Sequence, residues 1–216
     1  MSGVGEAALI IGLVSGVIAI VDGIKKVYDA AGDAEGLPAA FRSVAERLPL
    51  IRETLKVVEE QLRTATMDKD SYAAIKSSVE RAKVKAEQLD TIFEKCVPSA
   101  DSSRYDRYVA ALRTLGKGHK VEILMKELLE SVQDIANHRA ITAVTAEHIT
   151  KLVEAINNVS AIEPSVSDET IDGSGIGKYV HTGTGDLYSA EGHAEQYNAK
   201  DNARQYRAET MTFGKD

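Results

Sequence analysis

Residues 71–96 read SYAAIKSSVERAKVKAEQLDTIFEKC. Within them Tyr72, Ile75, Val79, Ala82, Ala86, Leu89, Phe93 and Cys96 follow one another in alternating steps of three and four. That spacing returns to one face of an α-helix and to no single face of a strand. The stretch predicts an amphipathic helix from about Ser71 to Cys96, stopped by Val97-Pro98. It makes a helical bundle the frame for the rest of the chain.

The flanking segments agree with that frame. Leu37-Pro38 opens a preceding helix, which Pro49 should kink or split. Leu48, Ile51, Leu55, Val58 and Leu62 continue the three–four spacing to a turn at Thr66–Asp70. Before it, a first helix is expected from about Glu6 to Ala31, apolar nearly all round in its first half and ended by GDAEG, Gly32–Gly36. Downstream, a short helix from about Ser102 to Leu115 should turn Tyr105, Tyr108, Val109 and Leu112 inward. Gly116 and Gly118 bracket a hinge. Val121 to Asn157 reads as helical almost throughout, with Val144, Ile149, Leu152 and Ile156 on its later face. A bend near Asn137-His138 is expected, because an unbroken rod would exceed ~50 Å. The fold class is thus all-α: an antiparallel helical bundle over 1–159, a linker over 160–173, and a polar tail over 174–216, either disordered or able to form a β-solenoid.

Composition supports this division. Hydrophobic residues make up 44% of the chain, with no Trp and only 5% aromatics, a palette suited to helix-on-helix packing. The net charge of −7 argues against nucleic acid as a partner. The single cysteine, Cys96, has no internal disulfide partner, which fits a reducing intracellular compartment. It lies in phase with the apolar stripe and reads as a packing thiol.

The first helix contains AALIIGLVSGVIAIV, Ala7–Val21, 15 residues without a charge. No basic start and no small-residue cleavage site accompany it, so it does not read as a secretory signal. As a helix it would be ~22 Å long, short of a ~30 Å hydrocarbon core, and is not expected to be a constitutive span. Gly12 and Gly16 lie four apart with Ser15 beside them, a small-residue face that lets helices approach in lipid. In the resting protein the same segment is expected to be a first helix buried by its neighbours, with the glycines serving close packing.

The tail keeps a period of nine. Ser174 begins SGIGKYVHT, Gly183 begins GTGDLYSAE, Gly192 begins GHAEQYNAK and Asp201 begins DNARQYRAE. Tyr179, Tyr188, Tyr197 and Tyr206 share the sixth position, four of the chain's eight tyrosines. Gln196 and Gln205 share the fifth. Nine suits a short strand plus a turn, with Gly183, Gly185 and Gly192 supplying positive φ. Stacked units would place Tyr over Tyr and Gln over Gln, the ladders on which cross-β assembly depends. Open edges of such a stack could recruit another copy or another chain with the same beat. A disordered tail and a transient helix are the competing readings. A calcium nonapeptide repeat fails for want of an Asp in every unit.

No enzyme signature emerges, and no catalytic residue, metal site or cofactor is expected. His119, His138, His148, His181 and His193 lack metal-ligand spacing with carboxylates. GSGIGK, Gly173–Lys178, lacks the full phosphate-loop spacing and a preceding strand.

The opening MSGVGEAALIIGLVSGVIAIVDGIKKVYDAAGDAEGLPAAF resembles the fungal SesA domain, a HeLo-like helical bundle, over roughly residues 1–155. The tail resembles the sigma class of amyloid-signalling motif, built on Gly-x-Gly-x-Gln-aromatic-Asn. Gly192 to Asn198 is the best copy, Gln205-Tyr206 the second, and TMTFG with Phe213 and Gly214 the close. Ala194 stands where the motif has its second glycine. The resemblance implies an effector of regulated cell death or heterokaryon incompatibility. An NLR-type receptor with a cognate repeat would template the tail into amyloid, and copies would assemble through it. The N-terminal helix would then leave the bundle and permeabilise the plasma membrane. On that reading the protein is cytoplasmic at rest and membrane-bound on activation. The inserting residues are Glu6, Leu9, Ile10, Ile11, Gly12, Leu13, Val14, Gly16, Val17, Ile18, Ile20 and Val21. A non-lytic adaptor, or a decoy with a decayed motif, are the alternatives.

Overall fold

The computed structural model describes residues 3–32, 35–64, 67–98 and 103–172. The chain divides into two units, Met1–Gly175 and Ile176–Asp216, and every described residue belongs to the first. Among the described residues the architecture is all-helical, with no strand. The elements are α1 (Gly3–Ala30), α2 (Ala39–Ala45), α3 (Leu48–Thr64), α4 (Lys69–Cys96), α5 (Arg104–Leu115), a single 3-10 turn (Lys117–His119), α6 (Val121–Ala136), α7 (Ala146–Ser160) and α8 (Asp168–Asp172). The tail residues named above, Tyr179 to Gly214, lie outside the described residues.

α4 is the spine. All eight residues of its three–four stripe are buried. Its ends are closed by side chains. The Asp68 carboxylate accepts from Ser71 N–H at 2.8 Å, and the Arg107 guanidinium donates to the Cys96 and Pro98 carbonyls, each at 3.0 Å. α1 and α6 both pack on α4, α3 packs on α1, and α7 packs on α6. α1 runs antiparallel to α3, since Asp22 pairs with Arg52 at 2.8 Å and Ser15 with the distant Glu59. α4 runs antiparallel to α6 through Lys85–Glu127 and Arg81–Asp134, both 2.9 Å. α1 and α4 run parallel: Gly23 faces Asp90, and the Tyr28 ring meets Phe93. α3 and α4 follow each other in sequence yet barely touch.

One end of the bundle is locked by aromatics. Phe41 of α2 packs on Phe93 of α4 at 5.0 Å between ring centroids and edge-on against Tyr108 of α5 at 4.9 Å. The Tyr108 hydroxyl then accepts from Val121 N–H at 3.0 Å, supplying the N-terminal cap that no side chain of α6 provides.

Pro49 splits its helix as its chemistry requires. α2 ends at Ala45, the residue whose carbonyl would meet the proline ring in a continuous helix, and α3 starts at Leu48. Three expectations need correction. Tyr105 is not turned inward; it sits in the first turn of α5 and is 37% exposed, its polar tip reaching water while Tyr108, Val109 and Leu112 are buried. Val121–Asn157 is not one bent helix but two, α6 and α7, with residues 137–145 between them. The cause is a clamp from α3. The Gln61 side chain donates to the Ala140 carbonyl at 2.7 Å and accepts from Thr142 N–H at 2.9 Å and Ala143 N–H at 2.7 Å. This satisfies the connection's backbone outside a helix while Ile141 and Val144 stay buried. Residues 160–172, expected as linker, carry α8 and place Val166 and Ile171 in the core.

Candidate functional site

α1 has two unlike faces. Ile10, Val14, Val17, Val21 and Ile24 step by four and three along the docked face and are buried, with Ile18 beside them. Among the other predicted inserting residues, Leu9 is 52% exposed and Gly12 is exposed. Ile11, Leu13, Gly16 and Ile20 are partly exposed, as is Glu6. Apolar residues on all sides of a helix ordinarily mean burial on all sides. Here one stripe is buried, and the opposite face presents Ala8, Leu9, Gly12 and Ala19 outward.

The glycines do not serve packing within the bundle. A Cβ added to Gly12 or Gly16 would meet nothing within 4 Å, so neither position is glycine to admit a neighbouring helix. The expectation of close packing by these residues is therefore corrected. Close packing needs an opposing surface, and α3 and α4 approach α1 from its other side. By contrast, a Cβ at Gly23 would come 4.0 Å from Asp90 Oδ1. Desolvation at this seam, reinforced by Glu94, raises the Asp90 carboxyl above the usual carboxylate range.

The helix is also longer than its uncharged core. Gly5–Ala30 is long and apolar enough to cross a membrane, and only 28% of its most apolar window is buried. At 1.5 Å per residue those 26 residues span ~39 Å, of which the last nine carry Asp22, Lys25, Lys26 and Asp29. Among the described residues, the polar ties of α1 to the bundle are Ser15 to Glu59, itself held by Arg63 at 2.9 Å, and the half-exposed Arg52–Asp22 pair.

Elsewhere, Cys96 is fully buried, and that burial pushes its thiol up to about 11. It packs, as its phase predicted. His138 Nδ1 accepts from Ala140 N–H at 3.2 Å, and His148 pairs with the Thr145 hydroxyl at the start of α7. Among the described residues no group of His, Cys, Asp and Glu could hold a metal ion. An open groove of about 540 Å³ lies between α4 and α6, crossed by the Arg81–Asp134 and Lys85–Glu127 pairs.

The family model SesA, the N-terminal domain on NACHT NTPases and P-loop NTPases, matches residues 14–135. The chain belongs to the SesA family. The SesA match runs from Val14 in the middle of α1 to Ile135 near the end of α6, so it covers the four packed helices α1, α3, α4 and α6. It leaves out the first turns of α1, all of α7 and α8, and the tail. Domains of this family occur at the N-terminus of NACHT NTPases and other P-loop NTPases, which associates the chain with NACHT NTPase signalling. Comparison with curated proteins and with solved structures finds no match.

Proposed function

We propose that this SesA protein is a cell-death effector that permeabilises the plasma membrane through α1. In this reading an NLR-type receptor carrying a cognate repeat templates residues 174–216 into amyloid. Copies then assemble through their tails, and α1 leaves the bundle for the bilayer. The protein waits in the cytoplasm and moves to the plasma membrane on activation. The observation that supports this best is α1 itself. It is of membrane-spanning length, its apolar contacts with the bundle run along one stripe, and a Cβ added at Gly12 or Gly16 would meet nothing within 4 Å. Such a small-residue face has a use when a second helix meets it in lipid.

The test is dye release from liposomes by the full-length chain, with and without preformed fibres of a peptide covering residues 172–216. The unseeded chain should leave the vesicles intact, and the seeded chain should empty them. Glu6→Arg places a cation at the leading end of α1, at a position already partly exposed, and should abolish release while leaving the fold intact. Release that is indifferent to this substitution would sink the α1 mechanism. Fibre formation with no release would make the protein a non-lytic adaptor, and a peptide that forms no fibres would make it a decoy.

A further inference from the structure

The segment between α7 and the tail carries charge of one sign. Ala161–Asp172 holds Glu163, Asp168, Glu169 and Asp172 and no cation. It lies across a corner of the opposite sign. From Arg113 to Lys126 the chain has four fixed cations against one carboxylate, Glu122. The contacts are direct. Lys120 Nζ meets Asp168 at 2.7 Å, and Lys117 Nζ meets Asp172 at 2.7 Å and Asp168 at 3.7 Å. The Arg113 guanidinium donates to the Thr170 carbonyl at 3.0 Å. Lys120 is nearly sealed, with 7% of its side chain exposed.

The segment is held down by more than charge. Val166 and Ile171 are buried. Ser165 N–H donates to Glu122 Oε1 at 2.9 Å, and the Ser165 hydroxyl meets that of Tyr108 at 2.8 Å. Beyond Asp172 the chain continues directly into the repeat. The acids of this strap therefore occupy cations that an external anion would otherwise reach.

We infer that the strap, residues 161–172, masks a cationic docking surface formed by Arg113, Lys117 and Lys120, whose partner is an anionic lipid bilayer. Charge complementarity selects an anionic partner, because the strap's carboxylates stand where that partner's phosphates and carboxylates would bind. The bilayer is favoured over nucleic acid by a helix long and apolar enough to cross a membrane on the same chain. The inference deepens the membrane reading above and rests on it. Lifting the strap uncovers Lys120 and frees Lys117 and Arg113, each adding about five-fold to affinity for an anionic surface at low salt.

The test is co-sedimentation of the full-length protein with vesicles of phosphatidylserine in phosphatidylcholine, against phosphatidylcholine alone, with dye release measured in parallel. Two strap-loosening variants are used, Asp168→Asn with Asp172→Asn, and Val166→Ser with Ile171→Ser. Both should bind phosphatidylserine vesicles about ten-fold or more tightly than the wild type, with no gain on phosphatidylcholine. The gain should vanish in high salt and on adding Lys117→Glu with Lys120→Glu. The exposed Asp pair keeps the test valid if the buried pair disturbs folding. Equal binding by wild type and the Asn variant, no preference for phosphatidylserine, or tighter capture by heparin or an acidic polypeptide would overturn the inference. Phosphatidylserine-dependent binding without dye release, even after addition of preformed fibres of the 172–216 peptide, upholds the masked surface and defeats the lytic reading. Release without phosphatidylserine preference does the reverse.

Discussion

Replacing Gly12 and Gly16 together by alanine separates two roles that a glycine in α1 could have. Both positions lie inside the helix, where glycine costs ~0.8–1.0 kcal/mol relative to alanine. The new methyl groups meet nothing within 4 Å, so no steric penalty offsets the gain. The double variant should be more stable by ~1.5–2 kcal/mol. For a chain of this size that is a rise of roughly 3–8 °C in melting temperature. Urea unfolding followed by circular dichroism reads the first effect as a higher midpoint at unchanged slope. Seeded dye release reads the second. If the glycine face brings helices together in lipid, release should fall although the fold is stronger. Slower departure of α1 from a more stable bundle would also lower release, so Asp90→Asn serves as the control. It should strengthen the same bundle near neutral pH without touching the glycine face. A double variant less stable than wild type would refute the reading of Gly12 and Gly16 as unopposed. Release equal to that of the control would refute their role in lipid.

Tyr108→Phe should lower stability by about 2–3 kcal/mol, because it leaves the buried Val121 N–H without an acceptor and removes the Ser165 contact; urea unfolding measures it. Asp90→Asn should raise the unfolding midpoint near neutral pH. Burial raises the Asp90 pKa in the folded protein, so the native state favours the protonated acid; its contribution is full below the unfolded pKa and is lost as pH rises through the folded one. The gain from Asn should therefore disappear in acid, which midpoints measured across pH will show. Cys96 should resist thiol reagents in the native state at about pH 8 and react on unfolding. With its pKa pushed from 9.0 to about 11, its contribution to stability is complete below pH 9 and declines as pH rises toward 11.

How much of this was legible in the sequence depends on how local its cause was. The α4 stripe was fully legible because its eight residues repeat at a helical period and all became core. Pro49 was legible because a missing N–H acts within its own turn. The break over 137–145 was not, because the clamp that stabilises it comes from Gln61, some eighty residues upstream. Nor was the strap: polar composition hides two anchoring residues, Val166 and Ile171, and nothing local says that Lys117 and Lys120 will lie beneath it. In α1 the candidate residues could be read from composition, but their sides could not. A helix apolar all round gives periodicity nothing to work with, and only the positions of α3 and α4 decide that Ile10 and Val14 face in while Leu9 and Gly12 face out.

On the proposed function, that asymmetry accounts for a helix that stays put without a membrane and leaves with one. The docked stripe of Ile10, Val14, Val17, Ile18, Val21 and Ile24 is six buried side chains. At ~1.5–3 kcal/mol each, stripping them into water costs roughly 9–18 kcal/mol, as much as the whole stability of a typical domain. The exposed Arg52–Asp22 pair adds little to this. In water, then, α1 is held by the apolar stripe and does not leave an intact bundle. A bilayer changes the comparison, not the stripe. Hydrocarbon removes these six side chains from water about as well as α3 and α4 do, so their term nearly cancels. What remains is the outward face, Leu9, Ile11, Leu13 and Ile20, which the bundle leaves partly in water and lipid would cover completely. Against that gain stand the desolvation of Glu6 and the exposure of the α4 surface from which α1 departs. The balance between bundle and bilayer is thus set by the residues that do not pack, and a trigger acting elsewhere on the chain need supply only the difference.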